Sequence, residues 1–139
     1  MFLTILTPAL VLLCWTLIMW VWMYATRIPA MQKAGIKPAE LKEKSQLEVL
    51  LRSVRQIADN YNHLHEQPVV FYALVFYSHL VGVKTSVAIT LAWAYVLLRI
   101  AHSLWQALVN FIPVRFVLFS LSSLALIALA VLNVFALLA

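Results

Sequence analysis

An uncharged stretch at the start of the chain limits the folds that it can adopt. Residues 2–26 contain no Asp, Glu, Lys or Arg and are mostly apolar. About 20 such residues are enough to cross the hydrocarbon core of a bilayer as an α-helix. A cleaved secretory signal would have a basic start, a shorter apolar core and a cleavage site with small residues, and the stretch has none of these. We therefore expect it to be the first transmembrane helix.

The composition of the chain supports a membrane environment. Hydrophobic residues make up 65% of the 139 residues and charged residues 11%, whereas a soluble domain is typically about 45–50% apolar and about 25% charged. We expect one integral membrane domain, residues 1–139, with lipid as a partner. The net charge of +5 does not favour nucleic-acid binding, because the basic residues lie in loops beside apolar stretches. The single Cys14 offers no disulfide framework and no metal-ligand spacing.

Three further helices are predicted from the pattern. A basic loop, 27–46, contains Pro and Gly and separates the first helix from the second. Helix II is predicted at 47–81, helix III at 85–109 and helix IV at 114–139. Pro68 is expected to kink helix II, because a proline inside a helix has no N–H to donate. The short links favour an all-α bundle of four transmembrane helices in up-and-down order.

The distribution of basic residues predicts the orientation of the bundle. Residues 27–55 hold seven lysines and arginines, the turn between helices III and IV carries Arg115, and the opposite side carries only Lys84. Loops rich in Lys and Arg remain on the cytoplasmic side. The first loop is therefore predicted to be cytoplasmic, with both termini in the periplasm or lumen, and a bacterial inner membrane is the expected location.

Polar side chains recur along one side of helix II and one side of helix III, at spacings of three and four residues. On helix II they are Arg55, Asp59, Asn62 and Glu66, with His63 at the edge, and on helix III they are Tyr95, Arg99, His102 and Gln106. The predicted topology places both stripes at the same, cytoplasmic, depth. A charge in the hydrocarbon core costs roughly 2.5–3.5 kcal/mol unless it faces a partner or water. These residues therefore form the candidate functional site.

A structural role for the stripes is the alternative. Glu66 and Arg99 could form a buried ion pair that joins helix II to helix III, with the neighbouring amide and imidazole groups as interhelical hydrogen bonds. A metal site is not favoured, because His63 and His65 are two residues apart on a helix and point in different directions.

Three segments resemble the MAPEG superfamily, the membrane-associated proteins in eicosanoid and glutathione metabolism. They are NYNHLHEQPVVFYAL at 60–74, RIAHSLWQ at 99–106, and Arg115 sixteen residues after Arg99. The resemblance extends over essentially the whole chain and implies a homotrimer with glutathione in clefts between neighbouring subunits, near the cytoplasmic side.

The resemblance also implies roles for individual residues. Glu66 resembles the glutamate that receives the glutathione amine, Arg99 and His102 resemble a polar pair near the tripeptide, and Arg115 resembles the arginine beside the sulfur. Arg115 follows Pro113 at the start of helix IV, where a helix dipole stabilises an anion such as a thiolate. Glutathione-binding positions are further expected at Asn62, His63, Gln106 and Arg27, and the resemblance implies that Arg27 reaches the ligand of a neighbouring subunit.

This chain departs from the family pattern at several of these positions. His63 stands where the family has an asparagine, three residues before the glutamate. Asp59 and Asn62 stand where many glutathione-binding members have basic residues, and Gln106 replaces a tyrosine. These departures favour binding of glutathione over catalysis.

Two classes of function follow from the sequence. The first is a glutathione transferase or peroxidase, in which Arg115 holds glutathione thiolate against a hydrophobic small molecule that arrives from the bilayer. The alternative is a non-catalytic lipid-binding or scaffold protein with the same fold. Transport is a third, weaker possibility.

Overall fold

The structure, a computed structural model, describes residues 4–139, and the regular secondary structure in this range is entirely helical. The five α-helices are α1 (Leu6–Lys33), α2 (Arg52–His63), α3 (Gln67–Leu80), α4 (Ser86–Leu108) and α5 (Ile112–Leu138). Two short 3-10 turns, Pro38–Glu40 and Lys44–Leu47, lie between α1 and α2. Helices α1, α4 and α5 are long and apolar enough to cross a membrane.

Helix α1 continues past the predicted end at residue 26, and the first two residues of the predicted helix lie outside the described range. The prediction ended the helix at its first charge, but Arg27, Gln32 and Lys33 are good helix formers. The helix ends where Gly35 adopts a φ of +71°. The backbone N–H of Ile36 then donates to the Met31 carbonyl at 3.0 Å, the hydrogen bond of a Schellman motif.

The prediction of one continuous helix II over residues 47–81 was wrong. α2 begins only at Arg52, and residues 64–66 interrupt the helix before α3 begins at Gln67. Pro68 explains the interruption, because it has no N–H and its ring excludes a regular turn before it. It occupies the first turn of α3, where a proline is tolerated. Pro68 therefore produces a break between two helices and not only a kink.

The last two helices lie close to their predicted positions. α4 begins one residue later and ends one residue earlier than predicted, while α5 begins two residues earlier than predicted. Thr85 caps α4 by accepting a hydrogen bond from the backbone N–H of Ala88 at 3.2 Å. Asn110, with a φ of +56°, forms the tight turn between α4 and α5.

Helix α4 is central to the packing, because it contacts α1, α2 and α5. Its buried face begins with the small residues Ala88 and Ala92, which allow close helix contacts. The same face continues through the whole of the predicted helix III stripe, whose four members, Tyr95, Arg99, His102 and Gln106, are buried. The C-terminal half of α4 thus carries polar groups into the interior of the bundle.

Candidate functional site

A pocket of about 300 Å³ lies where the end of α2, the last turns of α4 and the start of α5 meet. Its lining consists of His63, His102, Ile112, Arg115, Phe116 and Phe119. We refer to these six residues as the histidine–arginine pocket. Three residues of the sequence-predicted site, His63, His102 and Arg115, therefore share one cavity although they belong to three helices.

The two histidines of the pocket face each other, with ring centroids 5.0 Å apart. His63 is also held by Glu66, since its Nδ1 lies 3.0 Å from Oε2 of that carboxylate. A carboxylate accepts, so Nδ1 donates and Nε2 is the nitrogen left for another partner. The Glu66 side chain is 67% exposed. Glu66 and His63 therefore form a positioned pair at the edge of the pocket.

Arg99 lies behind the pocket and is completely buried. Its Cζ is 5.4 Å from the ring centroid of Phe119, a cation–π distance. Nε, Nη1 and Nη2 of Arg99 have no hydrogen-bond partner among residues 4–139. No ion pair between Glu66 and Arg99 is found in this range. Glu66 pairs with His63 and is exposed, because it lies in the break between α2 and α3.

Arg115 lies in the first turn of α5, at the N-terminal end of the helix dipole. Its Nη1 donates to Oδ1 of Asn110 at 2.7 Å. The Asn110 backbone N–H in turn donates to the Trp105 carbonyl at 2.7 Å. The turn between α4 and α5 therefore fixes the guanidinium at the rim of the pocket, where its charge and the positive end of the α5 dipole both favour an anion.

The remaining predicted site residues lie elsewhere. Asn62 is exposed on the outer face of α2. Gln106 is buried about one turn beyond His102, and its Oε1 has no partner in the described part of the chain. Arg27 lines a different cleft of about 330 Å³, together with Arg55 and Asp59 of α2. Within one chain, therefore, only some of the predicted site residues lie in the histidine–arginine pocket.

Sequence reasoning missed the polar face by which α2 contacts α4. Asn60 is completely buried and donates from Nδ2 to Oγ of Ser103 at 2.7 Å. Ser103 also accepts a hydrogen bond from Nε1 of Trp15 at 2.8 Å, and Nε2 of Gln56 donates to the Ala107 carbonyl at 2.7 Å. The four-residue spacing of Gln56 and Asn60 could have indicated this second polar face. The charged residues on the other face of α2 gave a clearer pattern and were chosen instead.

A second interhelical contact involves Gln67, the first residue of α3. Its Nε2 donates to Oγ of Ser123 on α5 at 2.9 Å, and its Oε1 accepts from the hydroxyl of Tyr95 at 3.4 Å. Tyr95, which the sequence placed in the stripe beside Arg99, therefore joins α4 to α3. Among the described residues no group of three or more His, Cys, Asp or Glu side chains could hold a metal ion.

The fold and the pocket define an all-helical membrane protein with a cationic, histidine-containing cavity at the junction of three helices. The MAPEG family model matches residues 5–135, and the chain belongs to the MAPEG family. Membership places it among the membrane proteins of eicosanoid and glutathione metabolism. No curated protein and no solved structure matches the chain.

Proposed function

We propose that this protein is a membrane-bound glutathione transferase or peroxidase that activates glutathione thiolate toward a lipophilic substrate. The observation that carries the proposal is the buried Arg99 guanidinium, whose three nitrogens have no partner within residues 4–139. Arg115 adds a second positive charge next to the pocket. A buried cation is normally compensated by a charge close to it, and an anionic ligand such as glutathione in the adjacent histidine–arginine pocket supplies that charge.

The chemistry follows from the pocket residues. A free thiol has a pKa of about 8.5 and is mostly protonated near neutral pH, so it must lose a proton before it becomes a good nucleophile. Arg115, at the start of α5, stabilises the thiolate. His63 accepts the thiol proton at Nε2, because Nδ1 is already bonded to Glu66. The thiolate then attacks the electrophile, and the proton on His63 is available for the leaving group.

The apolar side of the pocket suits a substrate that dissolves in the bilayer. Ile112 and Phe116 line it and are each 69% exposed at the surface of the chain. Apolar side chains of this size on a membrane helix contact lipid. A lipophilic electrophile or hydroperoxide therefore reaches the thiolate from the bilayer, while glutathione enters from water.

The assembly belongs to the same proposal. In addition to α1, α4 and α5, α2 and α3 together cross the membrane once as an interrupted helix, so the bundle has four crossings in up-and-down order. The basic loop and the pocket then lie on the cytoplasmic side and both termini on the other side of a bacterial inner membrane. Three copies form a homotrimer with the glutathione clefts between subunits. The exposed positions of Asp59, Asn62 and Glu66 on one chain support this arrangement.

A non-catalytic lipid-binding or scaffold protein is the second candidate. Half of the pocket lining, Ile112, Phe116 and Phe119, is apolar. Asp59 and Asn62 also place no positive charge where many family members have basic residues. In this case an acyl chain occupies the pocket and Arg99 and His102 stabilise the bundle.

The test is the conjugation of glutathione to chlorodinitrobenzene by the purified protein in detergent, with reduction of a lipophilic hydroperoxide as a second assay. Arg115→Ala should lower turnover by about tenfold to a hundredfold. Lys37→Ala removes an exposed basic residue of the loop outside the pocket and should leave the rate unchanged. His63→Asn should keep glutathione-induced thermal stabilisation but lower the rate by about a hundredfold. A protein with no rate above background and no thermal shift with glutathione would exclude the enzyme and favour the lipid-binding alternative.

A further inference from the structure

The two sides of the histidine–arginine pocket carry opposite charges. Arg115 of α5 lines the pocket, and Arg99 of α4 lies behind it. On the α2 side, Nδ1 of His63 is bonded to the Glu66 carboxylate at 3.0 Å. Asp59 lies one helical turn before His63 on the same helix, about 6 Å along the axis. The pocket is therefore cationic toward α4 and α5 and anionic along its α2 edge.

Acidic residues are concentrated at this edge. Of the five acidic residues in the sequence, only Asp59 and Glu66 follow residue 52, and both lie within four positions of His63. Both carboxylates are exposed, and Asp59 forms no ion pair within 4.0 Å in the described part of the chain. Arg55, the next charge along α2, lies one further turn away and lines another cleft. A ligand in the pocket thus meets two carboxylates at this edge before it reaches a basic group of α2.

This charge distribution discriminates between thiols. Glutathione carries two carboxylates and one ammonium group, so the part of the molecule beyond its sulfur is negative overall near neutral pH. A carboxylate held about 6 Å from Asp59 or Glu66 is repelled, whereas an ammonium group at the same distance is attracted. One oxygen of Glu66 is bonded to His63, and the other can accept a hydrogen bond from such an ammonium group.

We propose that this site prefers a thiol with an ammonium group but no carboxylate near its sulfur, so that glutathione reacts more slowly than such an aminothiol. The inference rests on the proposed thiolate chemistry and concerns only the identity of the thiol. His63 takes the thiol proton at Nε2 and the carbon–sulfur bond forms. With chlorodinitrobenzene, chloride leaves with the electron pair of the carbon–chlorine bond. The ammonium group donates to Glu66, lies beside Asp59 and takes no part in these bond changes.

Three forms of one peptide test the charge preference: glutathione, its diethyl ester, which has no carboxylate, and N-acetylglutathione, which has no ammonium group. Conjugation to chlorodinitrobenzene is measured with the purified protein in detergent, and kcat/KM for each thiol is divided by the uncatalysed rate constant for the same thiol. The ester should exceed glutathione by about tenfold, and N-acetylglutathione should fall about tenfold below it. Both differences should shrink in about 1 M sodium chloride, because salt screens exposed charges.

Substitution of Asp59 separates the effect of charge from that of ligand shape. Asp59→Asn should reduce the preference for the ester about threefold, and Asp59→Lys should reverse it, so that glutathione becomes the better thiol. Glu40→Gln is the matched control, since it removes an exposed carboxylate of the loop and should keep the preference of the unchanged protein. The comparison of the three thiols on the unchanged protein does not depend on the folding of any variant.

The outcomes separate this inference from the proposed function. Catalysis with glutathione that equals or exceeds catalysis with its ester would overturn the inference alone, and so would a preference that Asp59→Lys leaves unchanged. A preference that persists at about 1 M salt would mean that the ester is favoured by its apolar groups, which would also overturn the inference. No acceleration with any of the three thiols would overturn the proposed function and this inference with it.

Discussion

Replacement of Arg99 by methionine should make the ligand-free protein more stable and abolish its response to glutathione. Arg99 is completely buried and lies against Phe119. Its three guanidinium nitrogens have no partner among the described residues. Methionine is unbranched and apolar, so it fills most of the same space without a charge. If Arg99 is present for a ligand and not for the fold, its removal trades function for stability.

The magnitude follows from the contacts of Arg99. Each buried donor without a partner costs about 1–3 kcal/mol, so three cost about 3 kcal/mol at the lower figure. Because Arg99 is buried, its cation–π contact with Phe119 offsets about 2 kcal/mol of this cost. The packing contacts of the arginine methylene groups, which the substitution partly removes, offset a smaller part of the same cost. Arg99→Met should therefore raise the free energy of unfolding of the ligand-free protein by up to about 1 kcal/mol.

Unfolding in mixed micelles, with increasing SDS and with heat, measures both effects on one sample. The unchanged protein should gain stability with glutathione, whereas Arg99→Met should start higher and gain nothing. Arg115→Met is the matched control: it removes a hydrogen bond to Asn110 and should not stabilise the ligand-free protein. Destabilisation of Arg99→Met by more than about 1 kcal/mol would refute the reasoning, because it would mean that the folded protein already satisfies the guanidinium.

Three further substitutions test individual structural features. Asn60→Leu should destabilise the protein by about 0.5–1.5 kcal/mol in SDS unfolding, because it removes the buried hydrogen bond to Ser103 while Ser103 keeps its bond from Trp15; an unchanged midpoint would contradict this. Gly35→Ala should cost about 1 kcal/mol in the same assay, through its φ of +71° alone, since an added Cβ has no atom within 4 Å. Asn110→Gly keeps the positive φ but releases Arg115, so stability should change little while glutathione turnover falls; equal turnover would contradict a positioning role for Asn110.

Sequence patterns predicted the helices where hydrophobicity alone determines them. α4 lies within one residue of its prediction at each end because an apolar stretch is bounded by Lys84 and Asn110. Two boundaries were missed for physical reasons. A charge does not stop a helix, so α1 continues to Lys33. A proline can produce either a kink or a break, and tertiary packing of Gln67 on Ser123 helps to fix the break.

Three residues of the pocket, His63, His102 and Arg115, were among those that the sequence singled out, whereas the geometry that brings them together was not predictable. The three-residue spacing of Arg99 and His102 predicted that they share one helix face. The position of Arg115 after Pro113 predicted that it lies at the start of the last helix. The partner of Glu66 could not be predicted, because the interruption at residues 64–66 turns the carboxylate toward His63 instead of Arg99. Both faces of α2 are polar, and periodicity alone does not say which face contacts α4.

The outer face of α2 provides the last test, because Asp59, Asn62 and Glu66 are exposed on a single chain. Polar side chains at membrane depth face a protein interior or water and not lipid. We expect a second copy of the chain to cover this face in the proposed trimer. In a Cys14→Ser background, cysteine at position 62 should then react with a water-soluble maleimide at least tenfold more slowly than cysteine at position 40 in the loop.

Dissociation of the assembly by SDS should remove the difference in maleimide reaction rate between the cysteines at positions 62 and 40. When a second cysteine is placed at position 27, a short bifunctional maleimide should also crosslink position 62 of one subunit to position 27 of its neighbour. The crosslinked products should contain no more than three chains. Equal reaction rates in the intact protein would mean that water covers the outer face of α2. The polar stripe would then be an aqueous surface, and a glutathione cleft between subunits would have no support from the position of these residues.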